Sequence, residues 1–167
     1  MTDSSKNDIH STDLKVTDKA PLFELPGDSD KIVRLADFIG QPVIVYFYPK
    51  DDTSGCTNEA IDFSQLKSEF EKLGATIIGI SPDSAQKHDR FKAKHDLTIT
   101  LAADEERKAI EAYGVWVEKQ MYGRRYMGIE RTTFLIGRDG RIAKIWRKVR
   151  VKGHAAAVLE ALRTVEA

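Results

Sequence analysis

The sequence has one cysteine, Cys56, in 167 residues. That scarcity excludes an intramolecular disulfide framework and a cysteine-rich metal site, and it leads us to expect a reducing compartment. Charge of one sign is also missing. Lys plus Arg equals Asp plus Glu at 26 each, so no net field draws the chain to nucleic acid or to anionic lipid, and a small neutral substrate fits better. No apolar run approaches the ~18 to 20 residues that span a bilayer, and the N-terminus has no signal-peptide core. The expectation is therefore a soluble, unexported, cytoplasmic protein without membrane contact. The four histidines, His10, His88, His95 and His154, show no ligand spacing and are read as tail or polar helix-surface residues, so no metal is expected. Repeats and low-complexity segments are absent.

What is present is a hydrophobic fraction of 41% over a length that suits one domain with a sizeable core. Residues 1–18 carry aspartates at 3, 8, 13 and 18 and no arginine. They are read as a mobile tail ahead of a single domain over residues 19–167, and their acidity argues against organelle import. The stretch VIVYFYPKDDTSGCTNEAIDFSQLKSEF, residues 43–70, organises the rest. Val43 to Tyr48 is a continuous apolar and aromatic run, as expected of a strand buried on both faces. Pro49 cannot donate to a ladder and ends it, and Asp51, Asp52, Ser54 and Gly55 make a tight polar loop. Phe63, Leu66, Phe70 and Leu73 then form one helical stripe, with Gly74 as the stop.

Cys56 thus falls in the first turn of a helix, where unpaired N–H groups and the helix dipole favour a thiolate. A free thiol titrates near ~8.5, and such a setting or a cationic neighbour brings it below neutrality. Thr53 puts a hydroxyl on the same loop, able to donate to sulfur or to a bound oxygen. Position alone leaves a second reading open, because a lone intracellular cysteine is more often a small buried hydrophobe.

Further along, Ala20 to Leu25 and Lys31 to Leu35 read as short strands about a turn at Pro26 to Asp30. Ala75 to Ile80 is a second buried strand, and Ser81 to Ser84 ends it and offers a helix cap. Gln86 to His95 reads as a polar surface helix, Leu97 to Leu101 as a strand, Asp104 to Ala112 as a helix capped by Asp104, and Val117 to Gly128 as a loop. Thr132 to Ile136 and Arg141 to Trp146 flank an Asp-Gly turn, and a last helix runs from His154 to Val165. Parallel βα units, a hairpin and a terminal helix give an α/β protein with a central mixed sheet flanked by helices. Tyr46 or Tyr48 is expected to line a pocket, Trp116 to shape its rim, and Trp146 to pack on a strand.

Pro49, Thr53 and Cys56 together spell P-x-x-x-T-x-x-C, which resembles the active-site motif of peroxiredoxins. FYPKDDTSGCTNEA is similar to the subgroup called bacterioferritin comigratory protein or peroxiredoxin Q. So are GISPDS at 79–84, the segment 113–140 and the segment 145–162, and the likeness covers about residues 15–164. The resemblance implies a thioredoxin-like fold and a thiol-dependent peroxidase that reduces hydrogen peroxide and organic hydroperoxides through a Cys56 sulfenic acid, with no cofactor. It also implies roles for neighbours: Pro49 shields the sulfur, and Thr53 with Arg131 holds the peroxide.

Arg131 opens the apolar strand TTFLI, where a permanent charge is ordinarily avoided. Taken alone, it is equally a strand-edge arginine in solvent. Glu59, in a C-T-x-E pattern similar to the family's, is either a support for Arg131 or a first-turn acid compensating the dipole. Arg124 and Arg125 are read as solvated loop charges able to attract a partner. Many members of the subgroup read C-T-x-E-A-C, whereas this chain has Ile61 at the last position. No resolving cysteine is then available, and the sulfenic acid must be reduced from outside, by thioredoxin, glutaredoxin or a small thiol, or through a disulfide between two copies of Cys56, in a one-cysteine cycle. The resemblance leans towards a monomer. Two other functions stay in view, a redox sensor or chaperone-like binding protein switched by Cys56 oxidation, and a thiol-disulfide oxidoreductase, whose usual C-x-x-C is broken here by Glu59.

Overall fold

A computed structural model describes residues 13–166. The expectation of a mobile tail falls largely on residues 1–12, outside the described residues. Its last part bonds to the body of the protein, since Thr17 N donates to Ile142 O and Ile142 N donates to Asp18 O.

The order is β1 (Glu24–Pro26), β2 (Ile32–Arg34), β3 (Val43–Phe47), α1 (Ser54–Lys72), β4 (Thr76–Ser81), α2 (Ala85–His95), β5 (Thr100–Ala103), α3 (Lys108–Ala112), β6 (Trp116–Met121), β7 (Arg124–Ile129), β8 (Thr132–Ile136), β9 (Ile142–Trp146) and α4 (His154–Glu166). The main sheet runs β5-β4-β3-β8-β9. β3 pairs parallel with β4 and antiparallel with β8, β4 pairs parallel with β5, and β8 pairs antiparallel with β9. β3 is therefore the central strand, and all five of its residues are buried. This is the α/β mixed sheet with flanking helices that the run Val43 to Tyr48 and the βα alternation predict.

Side-chain alternation along β3 divides the core in two. Val43, Val45 and Phe47 face one cluster with Ile78, Ile80, Tyr113, Phe134 and Ile136. Ile44 and Tyr46, with Tyr48 just beyond, face the other, which contains Cys56, Phe63, Phe70, Leu135 and the inward side of α4. Ser84 caps α2 as expected, its Oγ accepting from Lys87 N.

Several expectations need correction. The strand expected over Leu97 to Leu101 begins at Thr100 and runs to Ala103. Leu97 and Ile99 are buried but precede the ladder, so their alternation marks packing rather than pairing. The helix expected from Asp104 starts at Lys108, with Asp104 accepting from Lys108 N and Ile110 N across the turn before it. Val117 to Gly128 is not a loop. It is the antiparallel ribbon β6–β7, with Arg124 paired to Met121 and Arg125 to Gln120. Trp116 packs on the first cluster with Arg107 over its ring at 4.5 Å. His88 and His154 are not surface residues, being 0% and 6% exposed.

Candidate active site

The site is assembled where β3 hands over to α1. Tyr48 N still bonds Ile80 O at 3.1 Å, and half-buried Pro49, having no N–H, ends the ladder. Two aspartates then pin the connecting loop. Asp51 is buried and accepts from Tyr48 Oη at 2.6 Å; its other carboxylate oxygen lies 2.6 Å from His88 Nδ1, and its backbone N–H donates to Asp83. His88 Nε2 in turn faces Ala102 O at 3.0 Å. Asp52 is exposed and meets Lys94 at 2.7 Å and His95 Nε2 at 2.8 Å. The loop is thus tied to α2 and β5. Sequence reasoning missed this anchor, and the only signal for it was a histidine inside an otherwise polar helix.

Thr53 caps α1 through its backbone, its carbonyl accepting from Thr57 N at 2.8 Å. Its hydroxyl donates to Lys50 O at 2.9 Å. Cys56 is the third residue of α1, so its N–H is among those without a partner inside the helix. Cys56 is 1% exposed.

Arg131 lies 75 positions away and closes the site from the position just before β8, donating Nη2 to Cys56 Sγ at 3.4 Å. The same guanidinium gives Nη1 to Glu59 Oε1 at 2.7 Å. Gly55 leaves room for this approach, because a Cβ at that position would lie 3.2 Å from Arg131 Nη2. Burial opposes the charge on Arg131, and the attraction of Glu59 and Cys56 more than offsets it, raising its pKa. Glu59 is 1% exposed. Burial pushes its carboxyl up to about 7 against the pull of Arg131. The sequence places Glu59 one turn from Cys56, and the structure brings both to one cation.

A second tyrosine flanks the sulfur. Tyr46 stacks on Phe63 at 4.8 Å and is fully buried; burial, then the nearby Glu59 and Cys56 charges, push its phenol well above the usual range. Its ring has room because Gly79 faces it across the ladder, where a Cβ would lie 2.7 Å from the ring. Behind Arg131, His154 Nε2 is 2.8 Å from Thr133 Oγ1, and burial, aided by the Arg131 charge, pulls this ring down to about 4. Trp146 packs edge-on to it at 5.8 Å. Ile61 is partly buried against the same cluster. Among the described residues no group of three or more His, Cys, Asp or Glu side chains has metal-binding geometry, and no helix is long and apolar enough to cross a membrane.

A buried cysteine at a helix start, touched by a fixed cation, is an arrangement for thiolate chemistry. The sequence profile of the AhpC/TSA family matches residues 16–145. Peroxiredoxin Bcp of Bacillus subtilis is 50% identical over 150 residues, covering 90% of this chain and 96% of that protein. The putative peroxiredoxin bcp of Coxiella burnetii is 48% identical over 146 residues, covering 87% and 97%. Among solved structures, the bacterioferritin comigratory protein of Xanthomonas campestris, described for its alkyl peroxide reduction activity, has a TM-score of 0.84 at 42% identity over 87% of this chain and 92% of that one. A mutant peroxiredoxin Q of Xylella fastidiosa has a TM-score of 0.88 at 37% identity, covering 92% and 98%. The chain therefore belongs to the AhpC/TSA family and is a peroxiredoxin of thioredoxin-like fold, an enzyme that reduces peroxides with electrons from thiols.

Proposed function

We propose that this enzyme reduces hydrogen peroxide and organic hydroperoxides through a sulfenic acid on Cys56, and that an external thiol completes a one-cysteine cycle. The observation that carries the reading is the Arg131 guanidinium on Cys56 Sγ at 3.4 Å. The cation and the free N–H groups of the first turn stabilise negative charge on sulfur. The thiolate attacks the terminal peroxide oxygen. An S–O bond forms, the O–O bond breaks, and the electron pair leaves on an alkoxide or hydroxide that takes up a proton. Sulfur is oxidised by two electrons and the peroxide is reduced by two. Arg131 faces the developing charge, and Glu59 holds Arg131 in place. Because the Thr53 proton is engaged by Lys50 O, the free lone pairs of its hydroxyl accept the peroxide O–H and orient it. Pro49 limits water at the sulfur.

Reduction of the sulfenic acid then needs an outside donor, because Cys56 is the only cysteine and Ile61 has no thiol. One thiol forms a mixed disulfide and releases water, and a second thiol displaces Cys56. Thioredoxin, glutaredoxin or a small thiol fits that chemistry. A protein thiol cannot reach the sulfur of a residue that is 1% exposed unless the first turn of α1 opens. The cycle needs no second copy, which fits a monomer with residues 19–167 as one catalytic domain, working in the reduced cytoplasm.

Stopped-flow oxidation of reduced protein by hydrogen peroxide and by an alkyl hydroperoxide, with a dimedone-type trap and intact mass, tests the first half. Rapid single-site sulfenic acid, absent in Cys56→Ser, is expected; oxidation no faster than a free thiol at the same pH would overturn it. Steady-state turnover with a panel of thiols tests the second half. Stoichiometric oxidation with no donor able to sustain turnover would point instead to a redox sensor.

A further inference from the structure

Among the described residues, two buried side-chain polar atoms have no hydrogen-bond partner, Tyr46 Oη and Glu59 Oε2. Both belong to the surroundings of Cys56. The phenol is a neutral donor. The carboxyl oxygen is different, because its partner oxygen already holds Arg131, and Oε2 is free to carry a proton without displacing any bond.

Charge balance decides whether it does. Cys56 and Glu59 are each 1% exposed, and both touch the single guanidinium of Arg131, Sγ at 3.4 Å and Oε1 at 2.7 Å. A thiolate and a carboxylate together would leave one buried negative charge uncompensated, which a low-dielectric site resists by keeping a proton. Among the described residues no other neighbour supplies a second cation. Asp62 on the same helix raises the Glu59 carboxyl further, Tyr46 on β3 stays neutral, and His154 at the start of α4 is held uncharged by burial. The site therefore accommodates one anion and one proton. The helix dipole acts most strongly within the first turn, at Cys56 rather than at Glu59, so the anion is the thiolate and the proton rests on the carboxyl.

We propose that Glu59 is the proton carrier of the peroxide step, its Oε2 taking the proton that Cys56 loses on becoming a thiolate and giving it to the departing alkoxide. This rests on the reading of Cys56 as the nucleophile. The balance closes without a further reactant. Sγ bonds to the terminal oxygen, the O–O pair leaves on the alkoxide, the Glu59 proton converts it to an alcohol, and the carboxylate left behind pairs with Arg131. When an external thiol later regenerates Cys56 as a thiol, its proton returns to Glu59. One anion faces Arg131 at every stage.

The test varies the leaving group. Acetate, released from peracetic acid, needs no proton, whereas the tert-butoxide released from tert-butyl hydroperoxide does. Glu59→Gln keeps an acceptor for Arg131 and nearly the same shape but has no mobile proton. The ratio of Cys56 oxidation rates, peracetic acid over tert-butyl hydroperoxide, should rise roughly 10²-fold in the variant relative to wild type, the scale of a lost general acid. Equal losses with both oxidants would mean that Glu59 only positions Arg131, and no loss with either would remove it from the step; each result overturns the proposal. Should the variant fail to fold, wild type still decides. A solvent deuterium effect with tert-butyl hydroperoxide and none with peracetic acid supports the proton carrier, and the same effect with both refutes it. If wild type formed no Cys56 sulfenic acid with either oxidant, the nucleophile reading itself would fall, a result distinct from every outcome above.

Discussion

The two faces of β3 differ in what they bury. On one, Val43, Val45 and Phe47 meet Phe134, Tyr113 and the aliphatic residues of β4, with Phe47 packed against Tyr113 at 5.1 Å and Phe134 at 5.9 Å. The one aromatic hydroxyl there, on Tyr113, is satisfied by Pro21 O at 2.7 Å. On the other face, Tyr46 and Tyr48 lead to Cys56, Glu59, Asp51, His88 and His154, all buried. Burying polar groups is costly unless they are paired. That cost is concentrated on one face of a single strand, and the chemistry is found there. The apolar face holds the sheet together. The polar face fixes a loop, a sulfur and a cation relative to one another.

The largest effect that would separate the faces is expected from Arg131→Ala. It removes the cation that touches both Cys56 and Glu59, and the rate of Cys56 oxidation in stopped flow should drop about 10²- to 10³-fold, the scale of losing one preorganised donor. A loss below about threefold would break the assignment of chemistry to this face. Phe47→Ala on the opposite face should do the reverse. Urea unfolding should show about 3–5 kcal/mol of lost stability, while the folded fraction oxidises at the wild-type rate; a slowed reaction would show that the faces are coupled. Gly79→Ala is smaller. The new Cβ would press on the Tyr46 ring from 2.7 Å, so about 1–3 kcal/mol of destabilisation is expected, with a change in Cys56 oxidation because the displaced ring belongs to the polar face.

Sequence alone shows the apolar face better than the polar one, for a physical reason. Continuous β-branched runs announce β3 and β4, and the stripe Phe63, Leu66, Phe70 and Leu73 announces α1, because burial of apolar groups is written into local periodicity. The ribbon β6–β7 escapes this reading. Its strands WVEKQM and RRYMGI are largely exposed, so pairing rather than burial defines them, and pairing leaves little trace in one strand's composition. Thr53 and Cys56 are legible as a local motif, and Arg131 stands out locally only as a charge opening an apolar strand; its meeting with the sulfur enters through the family resemblance, since 75 positions separate the two. His88 and His154 look like surface residues because their partners, Asp51 and Thr133, come from distant segments. A buried polar pair has no period.

The smallest effect concerns how the polar face responds to acid, and two of its groups pull in opposite directions. His154 lies edge-on to Phe63 at 6.0 Å and to Trp146 at 5.8 Å, and burial, with Arg131 adding to it, lowers its pKa from 6.5 to about 4. Between those values the unfolded chain binds the proton and the folded chain does not, so His154 removes stability as pH falls from 6.5 towards 4. Glu59, raised from 4.5 to about 7, acts the other way: the folded chain holds its proton while the unfolded chain has lost it, so stability rises as pH falls from 7 towards 4.5. Over the shared window the two slopes offset. His154→Gln should expose the Glu59 slope, and the urea midpoint of the variant should gain on that of wild type as the buffer is taken from pH 7 to pH 5. A difference between the two proteins that stays constant over that range would mean the ring is not held neutral in the folded state, and the balance of charge behind Arg131 would have to be redrawn.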